Sequence, residues 1–277
     1  MGELERAITE ITREGVRVVA ASRTDTGVHA LGQVVSFHTH SALEVGRLQR
    51  GLNAVLPDDL AVRHLAEVPD AFHARFSARG KHYRYRILNT PTPSPLEADR
   101  AWHLPGPLDL EAMREAAAHL VGEHDFTAFG GGAVELREGE SNVRRLVAVE
   151  VGRGSDPIAE RGAAGVVVID VVGDRFLYKM VRTIAGTLVL VGQGKLAPGA
   201  LREIIQSGQR RRAGPTAPPE GLFLIEVFYD EDALSNALKG FREGVEREHH
   251  HHGSRSLGPR RSQGIRGAEG KEARALL

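Results

Sequence analysis

Apolar residues recur along this chain in two rhythms, one of three to four residues and one of two. Leu4, Ile8 and Ile11, with Glu and Arg between them, predict an amphipathic helix over residues 2–14. Val45, Leu48, Leu52 and Val55 predict a second helix that stops at Pro57-Asp58. The same spacing predicts helices over 108–122 (Leu110, Met113, Ala117, Leu120), 176–191 (Phe176, Met180, Ile184, Leu188) and 198–207. Short β-branched or alternating runs predict strands at 16–21, 33–39, 60–68, 144–151, 165–172 and 221–229. Residues 81–88 alternate most clearly, with Lys81, Tyr83, Tyr85 and Ile87 on one face and His82, Arg84 and Arg86 on the other. The basic face is expected to be solvated, and Tyr85 to pack inside.

Pro91, Pro93, Pro95, Pro105 and Pro107 mark the clearest linker, so two halves are expected, 1–105 and 106–230. The runs around Gly130-Gly131-Gly132 and 152–165 read as loops, and neither has phosphate-loop spacing. Residues 231–277 are expected to form a disordered tail, with helix possible to Glu248 and only polar, aperiodic sequence after it.

Composition narrows the chemistry. With 277 residues and 41% hydrophobic content the chain can bury a sizeable core. It has no cysteine, which excludes thiolate nucleophiles and Cys-based zinc sites. No apolar run is long enough for a membrane span and no leader is visible, so a soluble, cytoplasmic protein is expected. Net charge is zero, so contact with nucleic acid must come from a local basic patch.

The candidate chemistry lies in residues 21–30, ASRTDTGVHA, a loop between two strand-like runs that puts Asp25 beside Arg23. Ser22, Thr24 and Thr26 can bond nearby backbone and Gly27 permits positive φ, so the loop can hold Asp25 in one pose. SRTDTGVHA resembles the RTDAGVHA signature of the tRNA pseudouridine synthase A family. FHARFSA (72–78), HYRYRI (82–87), HDFTAF (124–129), FLYKMVRTIAG (176–186) and EGLFL (220–224) resemble further blocks of that family, in its order. The resemblance spans about residues 1 to 230. Two small departures stand in the signature: Ser22 replaces a usual Gly, and Thr26 a usual Ala or Ser. In the family a strand with a YDGT-like turn precedes the helix that 2–14 resembles, so a relative lacking that strand is expected, with an unpaired sheet neighbour.

The resemblance implies an α+β pseudouridine-synthase fold: two similar halves whose antiparallel sheets join into one central sheet, helices on one side, and an RNA cleft at Asp25. It implies isomerisation of uridine to pseudouridine in the tRNA anticodon stem-loop, at about positions 38–40, after the base leaves its stack. Asp25 is then the catalytic aspartate, the family's nucleophile, which either attacks C1′ directly or assists loss of the C2′ proton; Arg182 is the cation facing it, and Tyr83 the ring lying over the target base. Arg23 occupies the vacated position, and His29, Arg75, Lys81 and Lys179 are candidates for RNA backbone contacts. A homodimer is implied; the reaction changes no composition, so it requires no cofactor and no metal. The competing reading is a catalytically impaired RNA-binding relative, shortened at its N-terminus.

Overall fold

The computed structural model describes residues 2–132, 141–154, 165–236 and 273–274. In chain order its elements are α1 (Gly2–Thr12), β1 (Val19–Ala20), β2 (His29–Ala30), β3 (Val35–Ser36), α2 (Val45–Val55), β4 (Ala66–Glu67) and β5 (Gly80–Leu88). There follow β6 (Trp102–His103), α3 (Leu110–Ala118), β7 (Gly122–Asp125), β8 (Val143–Arg153), β9 (Val166–Gly173), α4 (Met180–Gly192), α5 (Ala200–Ser207), β10 (Leu222–Phe228) and β11 (Ala273–Arg274). Residues 231–236 are helical. This is the α+β class that the sequence predicts.

By its contacts the chain forms two compact units that interleave in sequence. One holds Gly32–Ala78 with the described residues up to Arg23 and residues 273–274; the other holds Thr24–Leu31 with the described residues from Arg79. The halves expected to meet near residue 105 are a division by sequence rhythm, and these units cut the chain elsewhere.

In the first unit, Leu4, Ala7 and Ile8 of α1 meet Leu48 and Leu52 of α2 over Val18, Val35 and Phe37. Those side chains are buried because the helical stripes face each other, as the spacing required. Glu44 starts α2 by accepting from the N–H groups of Gly46 and Arg47 at 2.8 Å. Regular strand is scarce here: β1 pairs with β3 and β4 with β11, two residues each. The expected strands at 16–21, 33–39 and 60–68 shrink to these ladders.

The second unit is built on a seven-stranded sheet ordered β2-β10-β5-β9-β8-β7, with β6 beside β5. The long ladders β5–β9, β8–β9 and β5–β10 are antiparallel, whereas β2 joins β10 and β6 joins β5 in parallel. The proline-rich linker is thus partly sheet, because it returns alongside β5 with Trp102 opposite Ile87. β9 is buried throughout, as its near-continuous Val and Ile content predicts for a central strand.

Tyr85 is fully buried and donates its hydroxyl to Pro218 O at 2.7 Å. Burial pushes that phenol well above the ordinary range, with the Glu220 charge adding to the rise and Arg182 opposing it. The opposite face of β5 is not the solvated basic surface expected of it. His82 and Asp170 are both buried, 2.6 Å apart, and Arg84 grips the same carboxylate through two bonds of 2.8 and 2.9 Å. Arg86 lies 2.8 Å from buried Glu97. The carboxylates that neutralise this face come from β9 and from residues 95–97, so alternation within β5 alone gave no sign of them. Burial by itself would raise the Asp170 pKa; the His82 and Arg84 bonds and charges outweigh it and hold the group below the usual carboxylate value.

Candidate active site

The loop carrying Asp25 turns on two local features. Val28 N–H donates to Asp25 O at 3.0 Å, closing a turn, and Gly27 takes φ +83°, which a side-chain-bearing residue adopts only under strain. The chain then enters β2, where His29 stacks on Phe223 of β10 with centroids 4.6 Å apart, and Leu31 N–H donates to Leu224 O. The loop is therefore tied to the edge of the large sheet immediately after the carboxylate.

Arg182 reaches that carboxylate from the first turn of α4. Its Nη1 donates to Asp25 Oδ2 at 2.6 Å, with 12% of the Arg182 side chain and 25% of the Asp25 side chain exposed. The same guanidinium donates through Nε to Ala217 O at 2.7 Å, and Ala217 N–H returns a bond to Arg182 O at 3.0 Å. Two fixed acceptors at different edges of one planar cation leave it little rotational freedom. The bond anchors one carboxylate oxygen of Asp25, Oδ2, and a quarter of the side chain stays exposed.

Residues 213–219 form a strap across α4. Gly214 N–H donates to Thr187 Oγ1 at 2.9 Å, and a Cβ on Gly186 would stand 1.9 Å from Pro215 O. Gly186 is thus required by close approach rather than by helix propensity. The strap also carries Pro218, which accepts from Tyr85, and Pro219, whose ring lies against Gly27. It touches the cation, the loop of the anion and the central strand at once. The sequence shows this segment, AGPTAPP, only as a proline-rich turn; nothing in its pattern says that its Ala217 carbonyl holds Arg182.

The other expected residues divide plainly. Tyr83 is 6% exposed, with its ring edge-on to Phe176 at 4.9 Å, and Phe176 lies six residues before Arg182. Lys179 precedes α4, but its ammonium lies 4.8 Å from the Tyr178 ring centroid. His29 directs Nε2 to Asp99 O at 2.6 Å. Lys81 is buried at the start of β5, two residues before Tyr83 and opposite Gly173 and Val227. Arg23 and Arg75 are exposed and belong to the first unit.

The helix expected over 176–191 begins only at Met180, because Lys179 adopts φ +59°, outside the right-handed helical region. Arg175 lies before the helix start, with its side chain 72% exposed. The Gly130–Ser141 and 152–165 loops lie largely outside the described residues, as does the tail beyond 236 apart from 273–274. Among the described residues no cluster of His, Asp and Glu could hold a metal ion, and no helix is long and apolar enough to cross a membrane.

Comparison with known proteins adds an independent line. The chain matches the family model described as tRNA pseudouridine synthase over residues 1–77 and 116–230. It is 45% identical over 226 residues to a protein of Geotalea uraniireducens named tRNA pseudouridine synthase A, covering 82% of this chain and 88% of that one. A protein of the same name from Acetivibrio thermocellus is 44% identical over the same lengths. Another from Myxococcus xanthus is 43% identical over 246 residues, 88% of each chain.

Proposed function

The chain belongs to the tRNA pseudouridine synthase family, and from that premise we propose that it converts uridine to pseudouridine in the anticodon stem-loop of tRNA, at about positions 38–40, with Asp25 as the nucleophile. The observation that carries the proposal is the Asp25–Arg182 pair, a half-buried carboxylate with one oxygen held at 2.6 Å by a positioned cation. Isomerisation breaks the N1–C1′ bond, turns the uracil, and forms a C5–C1′ bond; the C5 proton leaves and N1 regains one. Composition is unchanged, so neither oxidant nor nucleotide cofactor enters.

What the reaction requires is an anion that stays charged in a site closed over the base. Asp25 Oδ1 attacks C1′ as N1 departs, giving an ester at C1′, and is expelled when C5 attacks the same carbon. Arg182 aims the carboxylate, because its plane is fixed by Ala217 O as well as by Asp25. Tyr83 lies over the extruded base, set against Phe176. Arg23 takes the place the base leaves, and His29, Arg75, Lys81 and Lys179 meet the RNA backbone. The protein works as a homodimer in the cytoplasm, without a metal.

Pseudouridine formation in unmodified tRNA transcripts, read by carbodiimide-dependent reverse-transcription stops, tests this. The wild-type chain gives stops at the modified uridines and Asp25→Ala gives none while still retaining the transcript on a filter. Stops of equal intensity from Asp25→Ala would overturn the role of Asp25. No stops from either protein would leave an RNA-binding relative.

A further inference from the structure

We propose that Tyr178, with Lys179, forms a stacking platform for an unpaired RNA base that flanks the target uridine. This inference rests on the reading of the site given above and adds a specificity-determining contact to it. Tyr178 is 58% exposed, one of only a few large hydrophobic side chains left so open among the described residues, while Phe176 and Met180 on either side turn inward. The Lys179 ammonium covers one face of its ring at 4.8 Å. With 58% of the residue exposed, the ring keeps open surface beyond what the ammonium covers, and an open aromatic surface is what a nucleobase stacks on.

The arrangement is held at a cost. Lys179 is one of two described non-glycine residues with positive φ, the other being Arg13. No side chain caps α4 at this point, so the left-handed turn is not repaid by a capping bond. Its effect is to fold the lysine stem across Gly131, where any Cβ would meet Lys179 Cβ and Cδ at 2.8 Å. Gly131 N–H donates to Tyr178 O at 2.7 Å and fixes the backbone beneath the ring. The platform is thus preorganised, with a cation placed to meet a phosphate beside the stacked base.

Position supports the assignment. Tyr178 precedes Arg182, the residue that holds Asp25, by four residues, so their Cα atoms lie at most about 14 Å apart. A nucleotide neighbouring a flipped uridine falls within that reach. Flipping removes a stacking partner from that neighbour, and an exposed aromatic face replaces it.

The test uses the full chain with an unmodified tRNA transcript carrying 2-aminopurine at the nucleotide adjoining the target uridine. Wild type and Tyr178→Phe quench the fluorophore on binding, since both keep the ring. Tyr178→Ala fails to quench and binds the transcript about tenfold more weakly, as the loss of one stacked base predicts. Because Tyr178 is exposed, its thermal midpoint matches wild type, which separates lost stacking from lost folding. Quenching and affinity unchanged in Tyr178→Ala would overturn the platform. Asp25→Ala, read for pseudouridine formation on the same transcript by carbodiimide-dependent stops, keeps the two readings apart: turnover surviving that substitution sinks the assignment of Asp25, whereas turnover lost there with quenching and affinity of Tyr178→Ala indistinguishable from wild type sinks only the platform.

Discussion

Replacing Gly186 by Ala adds one methyl group to the middle of α4, and its consequence follows from where that methyl must go. The new Cβ would sit 1.9 Å from Pro215 O and 3.0 Å from Pro215 C. An ordinary carbon–oxygen contact is over 3 Å, so the strap has to move by more than 1 Å, on the order of 1.3 Å. The obstructing atom is backbone, which cannot swing aside as a side-chain tip can. Pro215 lies two residues from Ala217, whose carbonyl receives Arg182 Nε at 2.7 Å and whose N–H binds Arg182 O. A shift of that size breaks the bond to Nε and frees the guanidinium to rotate away from Asp25.

Overpacking of this kind costs about 1–3 kcal/mol, or roughly 4–8 °C in thermal midpoint at the middle of that range. The catalytic loss is larger, since misplacement by about 1 Å in a preorganised site costs on the order of a hundredfold. Single-turnover pseudouridine formation, run well below the midpoint with saturating enzyme, isolates the second effect from the first. Gly199→Ala is the control: the position has ordinary φ and nothing within 4 Å of an added Cβ, so it leaves both quantities unchanged. A Gly186→Ala enzyme that loses stability and yet turns over within twofold of wild type would refute the idea that the strap positions Arg182.

Tyr85→Phe leaves Pro218 O without its donor inside the core and is expected to lower unfolding stability by about 1–2 kcal/mol in urea, with little change in m-value; an unchanged midpoint would mean that the carbonyl finds another donor. Asp170 is held below the usual carboxylate pKa in the folded state, so its contribution to stability is present above the unfolded value of about 4 and is lost as pH falls through the lowered folded value. Asp170→Asn is therefore expected to cost about 2–4 kcal/mol at neutral pH and to flatten the loss of stability below about pH 4, measured by denaturant titration across pH; equal slopes for the two proteins would contradict the assignment.

The local pattern of the sequence carried much of the fold. Helices α1 to α5, and the long strands around residues 81–88, 144–151, 165–172 and 221–229, are legible because burial on one side imposes periods of 3.6 and 2 on the residues themselves. The short strands were not: β2, β6 and β7 exist because a neighbouring strand offers unpaired N–H and C=O groups, and that offer is made by the sheet and not by the two to four residues that accept it. The helix over 176–191 was placed four residues early for a related reason. Its apolar spacing continues through Phe176, while the left-handed turn at Lys179 is fixed by its packing against Gly131.

The site divides along the same line. Asp25, Tyr83 and Arg182 stood out as residue types within recognisable blocks, and Gly27 announced a turn with positive φ. The family resemblance apart, nothing in the sequence says that Arg182 meets Asp25 across 157 residues, that Ala217 O sets the plane of its guanidinium, or that Asp170 and Glu97 neutralise the basic face of β5. Those are statements about pairs of groups brought together by sheet order and by a strap over α4. By itself the sequence determined which residues carry charge, which faces seek burial and which family the chain resembles, because these depend on each residue and its near neighbours. Only the tertiary structure decided which charge is held, by what and at which angle, since hydrogen bonding and electrostatic pairing act over a few ångströms in space regardless of distance along the chain.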